Sequence, residues 1–219
     1  SLTEAEILNL LSDADPEIRK IAGKSLSEVL ENNKRIFGMI LNVISRDRFI
    51  EDNKRGFKRI MSSRNLDNDV EDEVVDKLVN TVDKAMPKLT HRYYKWKANQ
   101  FGQTRLDWWD RNAPLPHSSE TLIKWSEAKD TILDSFSSFH PQISNLAELF
   151  FKNNWIDASL RKGKASGAFA HPAVPSLHPY ILVNYQGKIR DVMTLAHELG
   201  HGVHQILAGK NGLLMAETP

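Results

Sequence analysis

The residues best suited to chemistry are two histidines and a glutamate near the C-terminus, in the sequence His197-Glu198-Leu199-Gly200-His201. Side chains four residues apart lie on one face of a helix, so the two imidazoles can reach the same metal ion. Zinc binds neutral imidazole nitrogens at about 2.0–2.1 Å, which such a pair can provide without distorting the helix. The spacing therefore predicts that His197 and His201 bind one Zn²⁺ ion.

Glu198 has a different predicted role, because it follows the first ligand and lies close to the position of a zinc-bound water. A carboxylate in that position can accept the proton of the water and later deliver it to a leaving amine. The ion lowers the pKa of the water towards 7 and polarises the carbonyl group that is attacked. We therefore predict zinc-dependent hydrolysis of peptides, with Glu198 as the catalytic base.

A complete site requires a third protein ligand, and the residues after the motif offer little. His204 lies about 10.5 Å along the helix axis from His197, so the two cannot readily share an ion. A contact to substrate, to a ligand or to the core is expected for His204 instead. Glu217 is the only carboxylate that follows the motif, and it could become a ligand only if the chain folds back.

The scaffold that must position these residues begins with helices, because apolar residues recur at three- and four-residue steps through the first two thirds of the chain. Pro16 follows Asp15, a good N-cap, so a long helix is expected to begin there. A second helix is expected over residues 70–86, with Asp67 or Asn68 as its cap. Proline 87 should kink or end this helix, and the aromatic residues that follow could extend it towards residue 100.

The last third of the chain changes in character. A helix capped by Ser118 or Ser119 is expected to end near residue 140, and one more short helix follows. Residues 179–185 are β-branched and aromatic, which predicts a strand, with 165–170 as a shorter partner. The final helix should run from about residue 190 to residue 207 and carry the motif.

Three residues of this final helix carry further expectations. Asp191 is expected to accept backbone N–H bonds at the start of the helix. Gly200 and Gly202 each weaken a helix interior by about 1 kcal/mol relative to alanine. Their presence predicts that another backbone packs very close to the motif.

Together these patterns predict a mainly α protein with a small β-sheet (an α+β fold), in which a helical scaffold precedes a short sheet and the motif helix. We assign residues 1–115 to an N-terminal helical region and residues 116–219 to a second region that carries the motif. The layout contains no internal repeat and no low-complexity segment.

Composition excludes several alternatives. The 219 residues carry a net charge of +1, which argues against broad electrostatic capture of nucleic acid. The chain has no cysteine, so disulfides and thiolate metal sites are excluded. No apolar run approaches the roughly 18 residues that a membrane-spanning helix needs. A cytoplasmic protein without nucleic-acid or membrane partners is therefore expected.

Segments around the motif resemble a known family, the oligoendopeptidase F branch of the thimet oligopeptidase family of zinc metallopeptidases. The segments that carry this resemblance are 163–169 (GKASGAF), 179–185 (PYILVNY) and 191–204 (DVMTLAHELGHGVH), together with Trp109-Asp110 and Ala113-Pro114-Leu115. The last third of the chain matches densely, whereas the preceding helices match mainly in their order.

The resemblance implies a zincin-like, mostly helical peptidase that cleaves short peptides, with the zinc helix at the floor of a deep channel. It assigns zinc to His197 and His201 and the role of base to Glu198. The family's third ligand is a glutamate on a following helix, which is expected beyond Pro219. The chain is therefore expected to lack the remainder of its catalytic domain and to have little activity on its own.

Zinc peptidases commonly hold substrate extended against the edge of a strand. The segment before the predicted strand and the end of that strand suit this role, with the motif helix nearby. The candidate substrate contacts are Gly167, Ala168, Phe169, Tyr185 and His204. An ordinary buried hairpin is the alternative interpretation of these strands.

Two other functions stay open from the residues alone. One is a metallocarboxypeptidase of helical architecture with the same His-Glu-x-x-His motif, which would release single residues from peptide C-termini. The other is a helical interaction module without catalysis, whose motif would be a relic.

Overall fold

The computed structural model describes residues 2–116 and 121–216, and the chain divides into two compact units. The helical unit comprises residues 7–118, and the motif unit comprises residues 119–218 together with residues 1–6. The prediction of a mainly α protein with a small β-sheet is confirmed. The domain boundary predicted after residue 115 stays a prediction.

The elements of the helical unit follow the short helix α1 (Glu4–Leu10). They are α2 (Pro16–Arg55), α3 (Ser62–Asp67), α4 (Asp72–Ala85), a π-helical turn (Pro87–His91), α5 (Arg92–Gln100) and a 3₁₀ turn (Trp108–Asp110). The predicted start of α2 is confirmed, since the Asp15 carboxylate accepts the Glu17 N–H at 2.8 Å. A buried ion pair between Arg19 and Asp110 joins α2 to the 3₁₀ turn at 2.8 Å.

The predicted cap of the second helix is wrong. Asp67 ends α3 and Asn68 follows it, whereas α4 begins at Asp72 with Glu71 as its N-cap. The Asp72 carboxylate accepts hydrogen bonds from the side chains of Ser62 and Asn65 in α3, so these contacts join the first residue of α4 to α3. The π-helical turn that begins at Pro87 leads directly into α5. This wider turn accommodates proline, which has no backbone N–H to donate.

The motif unit contains α6 (Trp125–Phe139), α7 (Pro141–Lys152), β1 (Ile156–Asp157), β2 (Phe169–His171), β3 (Tyr180–Leu182), α8 (Ile189–Gly209) and a 3₁₀ turn (Leu213–Met215). The sheet has the order β1-β3-β2, with β1 parallel and β2 antiparallel to β3. The predicted strand at 179–185 is confirmed in its first half, over Tyr180–Leu182. Its predicted partner overlaps β2 but lies several residues too early.

Helix α6 begins later than predicted, with Lys124 as its N-cap. The serines proposed as caps, Ser118 and Ser119, lie outside the described residues. The short helix expected after residue 140 is α7, which begins at Pro141, and the His140 side chain accepts the Gln142 N–H. The core of the unit is formed by Ile132, Ala147, Phe150, Ile181, Val183, Leu195, Leu199 and Val203.

A buried lysine donates hydrogen bonds to backbone carbonyls at one end of this sheet. The side chain of Lys164 is 1% exposed, and its ammonium donates to the carbonyls of Asp157, Ser159 and Val183 at 2.7–3.0 Å. The Asp157 carboxylate pairs with Lys164 at 3.1 Å and with both terminal nitrogens of Arg161 at 2.6 Å. The hydrogen bonds from Arg161 are the main reason that the pKa of Asp157 falls to about 2.

Across the two described stretches of chain, no helix combines the length and the apolar character that a membrane crossing requires.

The lowered pKa of Asp157 predicts a pH-dependent contribution to stability. Its stabilising effect should be complete above the ordinary value of 3.8 and should be lost as the pH falls through about 2. Solvent screens part of the interaction, since the Asp157 side chain is 35% exposed. We expect Asp157→Asn to lower Tm at pH 7 by about 2–4 °C, the shift that ~1 kcal/mol causes in a chain of this size.

Circular dichroism melts between pH 7 and pH 2 would measure this difference, which should shrink below about pH 4. The matched control is Asp134→Asn, because Asp134 is exposed on α6. A difference between wild type and Asp157→Asn that is as large at pH 2 as at pH 7 would contradict the assignment.

Candidate metal centre and peptide-binding edge

Helix α8 is fixed at its start by the aspartate that the sequence singled out. The Asp191 carboxylate accepts the Lys188 N–H at 3.0 Å and the Gln186 N–H at 2.9 Å. These bonds satisfy backbone donors at the helix start, and the negative charge lies at the positive end of the helix dipole. The capping role predicted for Asp191 is confirmed.

The apolar side of α8 determines where the motif histidines lie. Leu195, Leu199 and Val203 are fully or nearly fully buried in the core of the motif unit. His197 and His201 lie on the other side, where His197 is exposed and His201 is half-buried. Burying one side of the helix therefore presents both imidazoles to the outside of the unit.

The two imidazoles converge. Their Nε2 atoms are 3.0 Å apart, and the ring centroids are 4.6 Å apart with an angle of 88° between the ring planes. Two ligands at about 2.05 Å from a tetrahedral ion would be about 3.3 Å apart, so a shift of a few tenths of an ångström would let both rings hold one zinc ion. The donor set and its spacing fit zinc.

Glu198 lies at the border between the exposed and the buried side of α8. It is 7% exposed, and among the described residues no cation lies within ion-pair distance of its carboxylate. Seven residues nearly complete two turns of helix, so Glu198 shares its side of α8 with Gln205. Gln205 reaches β2, since its Nε2 donates to the carbonyl of Ala170 at 3.4 Å. Glu198 therefore lies on the side of the helix that faces β2.

Strand β3 uses alternate residues to pair with its two neighbours. The N–H groups of Ile181 and Val183 each donate towards β1, at 3.0 Å. Successive residues of a strand direct their backbone polar groups to opposite sides, so Tyr180 and Leu182 pair with β2.

The same alternation decides which backbone groups of β2 are available. Tyr180 and Leu182 have His171 and Phe169 as their register partners. Ala170 lies between those partners, so its N–H and C=O point away from β3, to the side that we call the free edge of β2. No further strand among the described residues covers this edge, where the Gln205 side chain makes its 3.4 Å contact with the Ala170 carbonyl. An extended peptide could pair with Ala170 there.

The predicted substrate contacts differ in their surroundings. Gly167 has a φ of 84°, Ala168 is packed partly against the core, and Phe169 is 45% exposed at the start of β2. His204 is exposed on the same side of α8 as His197. Their contacts to substrate stay predictions.

Tyr185 is held in a structural contact. Its hydroxyl donates to the carbonyl of Ile123 at 2.8 Å, and its ring packs edge-on against Trp125. Burial raises the pKa of this hydroxyl, with smaller contributions from Asp191 and Glu127. The substrate contact predicted for Tyr185 stays a prediction, and its hydroxyl already donates a hydrogen bond to Ile123.

The described residues contain no group of three metal-binding side chains, so the structure shows two converging ligands. Glu217, considered as a third ligand, lies outside these residues.

Sequence reasoning missed Gln205, although its position four residues after His201 is a signal that its side chain lies near the site. It also missed Phe150, whose position on a separate helix gave no such signal.

The expectation of another backbone close to the motif glycines is wrong. A Cβ atom at Gly202 would lie 2.6 Å from the Phe150 ring, so a buried side chain makes the close contact. Apart from its own chain neighbours and the adjacent helix backbone, a Cβ atom at Gly200 would have no atom of the described residues within 4 Å. Only Gly202 is required by packing, and it lies next to His201.

This difference gives a matched pair of substitutions on one helix. Gly200→Ala should raise Tm, because alanine favours helix by about 1 kcal/mol and has room there. Gly202→Ala should lower Tm by several degrees and weaken zinc binding, because the added methyl must push Phe150 or the helix aside. Thermal melts and zinc titration against a chelator would measure both effects.

A second substitution tests whether Phe150 is the cause. Replacing the ring in Phe150→Leu should make Gly202→Ala less damaging than it is in wild type. Equal effects of Gly200→Ala and Gly202→Ala would show that the close contact does not position the motif.

Comparisons with known proteins agree with the resemblance noted in the sequence. Residues 9–218 match the family model of peptidase family M3. The chain is 27% identical to oligopeptidase PepF of Bacillus subtilis over 211 residues, which are 96% of this chain and 31% of that protein. It is 30% identical to an oligoendopeptidase F homolog of Borreliella burgdorferi over 213 residues, which are 96% of this chain and 36% of that protein.

A solved structure of PZ peptidase A with an inhibitor has the same fold. The TM-score is 0.82 at 19% identity, over 94% of this chain and 37% of that chain. The chain thus spans about a third of the length of the curated relatives described above. It belongs to peptidase family M3.

Proposed function

We propose that the full-length protein is a zinc-dependent oligoendopeptidase, which cleaves short peptides at internal bonds. The observation that carries this proposal is the 3.0 Å approach of the Nε2 atoms of His197 and His201, beside a Glu198 carboxylate without an ion-pair partner among the described residues. The preference for short peptides is supported by the relatives, which are named oligopeptidase and oligoendopeptidase F.

His197 and His201 would hold the zinc ion through their Nε2 atoms. Bound there, the ion would supply a positive charge that polarises the scissile carbonyl and acidifies the attacking water. The proton transfers would then be carried out by a side chain of the protein.

Glu198 would accept the proton of the attacking water and deliver it to the nitrogen of the departing amine. The position of Glu198 on α8 suits proton transfer, because it lies next to the side of the helix that carries both histidines. A carboxylate held by a strong ion pair would be a poorer base, since the pair would lower its pKa.

The free edge of β2 would bind the peptide backbone. Ala170 offers its N–H as a donor and its carbonyl as an acceptor, the pair that an added antiparallel strand requires. The carbonyl already accepts a long hydrogen bond of 3.4 Å from Gln205, and its second lone pair would serve the peptide. Contacts of this kind involve main-chain atoms, so they are compatible with peptides of varied sequence. Phe169, half-exposed beside Ala170, would contact substrate side chains.

The 219-residue chain itself is proposed to bind zinc weakly. Two imidazoles without a carboxylate or further imidazole leave an ion bound mainly by water, and metal affinity rises with each well-placed ligand. Low activity of this chain alone follows from the same reasoning. A cytoplasmic location stays a prediction.

The proposal predicts that Glu198→Gln abolishes cleavage by the full-length protein while zinc is retained. The amide keeps the size of the side chain but cannot accept the proton, so kcat should fall by at least about a hundredfold. Cleavage of a quenched fluorescent peptide gives the rate, and elemental analysis gives the zinc content. Glu148→Gln, an exposed position on α7, is the matched control and should keep wild-type activity.

Mass spectrometry of the products distinguishes the alternatives. Internal cuts that a chelator stops would support the endopeptidase, whereas stepwise loss of C-terminal residues would indicate a carboxypeptidase. Full activity of Glu198→Gln would refute its role as base, and absence of zinc from an inactive wild type would favour the interaction module.

A further inference from the structure

Few residue pairs between β2 and β3 hold the free edge of β2 in position. Only three residues of β2, Phe169–His171, pair with β3. The segment that leads into β2 turns sharply at both ends, since Gly163 and Gly167 have φ values of 82° and 84°. Glycine adopts this conformation without steric cost, so backbone preference alone does not hold the segment in one place. Other contacts must fix it.

Asn184, two residues after the end of β3, provides two of these contacts, and the Ser166 hydroxyl makes another by donating to the Glu4 carboxylate at 2.9 Å. The Asn184 Nδ2 donates to the carbonyl of Ala165 at 3.0 Å and to the carbonyl of Gly167 at 2.9 Å. Both partners are acceptors, so the orientation of the amide is fixed: only the NH₂ end can face them. Asn184 thus uses both N–H bonds to hold Ala165 and Gly167, which lie in the segment that leads into β2.

Lys164 anchors the start of the same segment beside the same part of the sheet. Its ammonium donates to the carbonyl of Val183, the residue directly before Asn184. The segment from residue 164 to residue 167 is therefore tied at both ends to two consecutive residues of the chain. Because Ile181 and Val183 also pack in the core with α8, these ties locate the entry to β2 relative to the motif helix.

We propose that Asn184 is a positioning residue for peptide binding, which acts by holding residues 165–167 so that Ala170 presents its N–H and C=O at the free edge of β2. This inference rests on the proposed peptidase function for its kinetic consequence. Its structural consequence, order in residues 165–171, does not depend on catalysis.

The test is Asn184→Asp in the full-length protein. The carboxylate has nearly the same shape, but it lacks both donors and repels the two carbonyls, so the segment should leave its place. We expect KM for a fluorescent peptide to rise about tenfold while kcat stays within about twofold, because the edge binds substrate without taking part in the chemistry. Zinc content should not change.

The matched control is Asn33→Asp. Asn33 is exposed on α2, and its Nδ2 likewise donates to a backbone carbonyl, that of Val29 at 2.8 Å. The same chemical change there should leave KM and kcat as in wild type. Asn184→Gln keeps the amide donors on a longer arm and should recover part of the lost affinity.

Hydrogen exchange without substrate separates this inference from the proposed function. In Asn184→Asp, amides of residues 165–171 should exchange about ten times faster than in wild type, whereas α8 should be unaffected. Unchanged exchange in this segment would overturn the inference whether or not the protein cleaves peptides. A wild type that cleaves, with Asn184→Asp showing an unchanged KM, would overturn the inference and leave the proposed function standing.

Discussion

The packing of one side of α8 into the core is the interaction on which the rest of the site depends. Leu195, Leu199 and Val203 are buried among residues of α7 and β3, and this fixes the rotation of the helix about its own axis. Burial of three such side chains is worth several kcal/mol, about 1.5–3 kcal/mol each, so the rotation is strongly determined. The helix therefore presents the Cα–Cβ bonds of His197 and His201 on its other side.

Gly202 sets the distance at which that packing occurs. The Phe150 ring lies where a side chain at this position would be, so helix and ring approach closely. A larger residue would move the backbone that carries His201, and a displacement of a few tenths of an ångström is comparable with the adjustment that zinc would need from the two imidazoles. Core packing and metal geometry are therefore coupled through one missing methyl group.

Two polar residues of α8 lie between the side that carries the histidines and the side that packs against the sheet. Glu198 and Gln205 share this border, and Gln205 contacts the carbonyl of Ala170. On this border Glu198 adjoins both the face of α8 that carries the two histidines and the face towards β2. That position would suit a base that transfers a proton from water to a leaving amine. The Gln205 Oε1 atom is buried and has no hydrogen-bond partner among residues 2–116 and 121–216, which costs free energy at the junction of helix and edge.

Much of this arrangement could be predicted from local sequence. The motif spacing, the Asp15 and Asp191 caps and the apolar period of α8 are local signals, and the structure agrees with the caps and the helix. The exact strand bounds and the start of α4 were missed, because they depend on contacts such as Asp72 with α3. The roles of Phe150 and Asn184 required knowledge of which distant residues meet, and a single sequence does not contain that information directly.

The central claim is that His197 and His201 hold one ion together. Anomalous scattering at the zinc edge, from crystals of the full-length protein grown with zinc, would test it most directly. The account predicts one peak at about 2.0–2.1 Å from both Nε2 atoms. A peak bound to only one of the two histidines, or no peak near either, would contradict it.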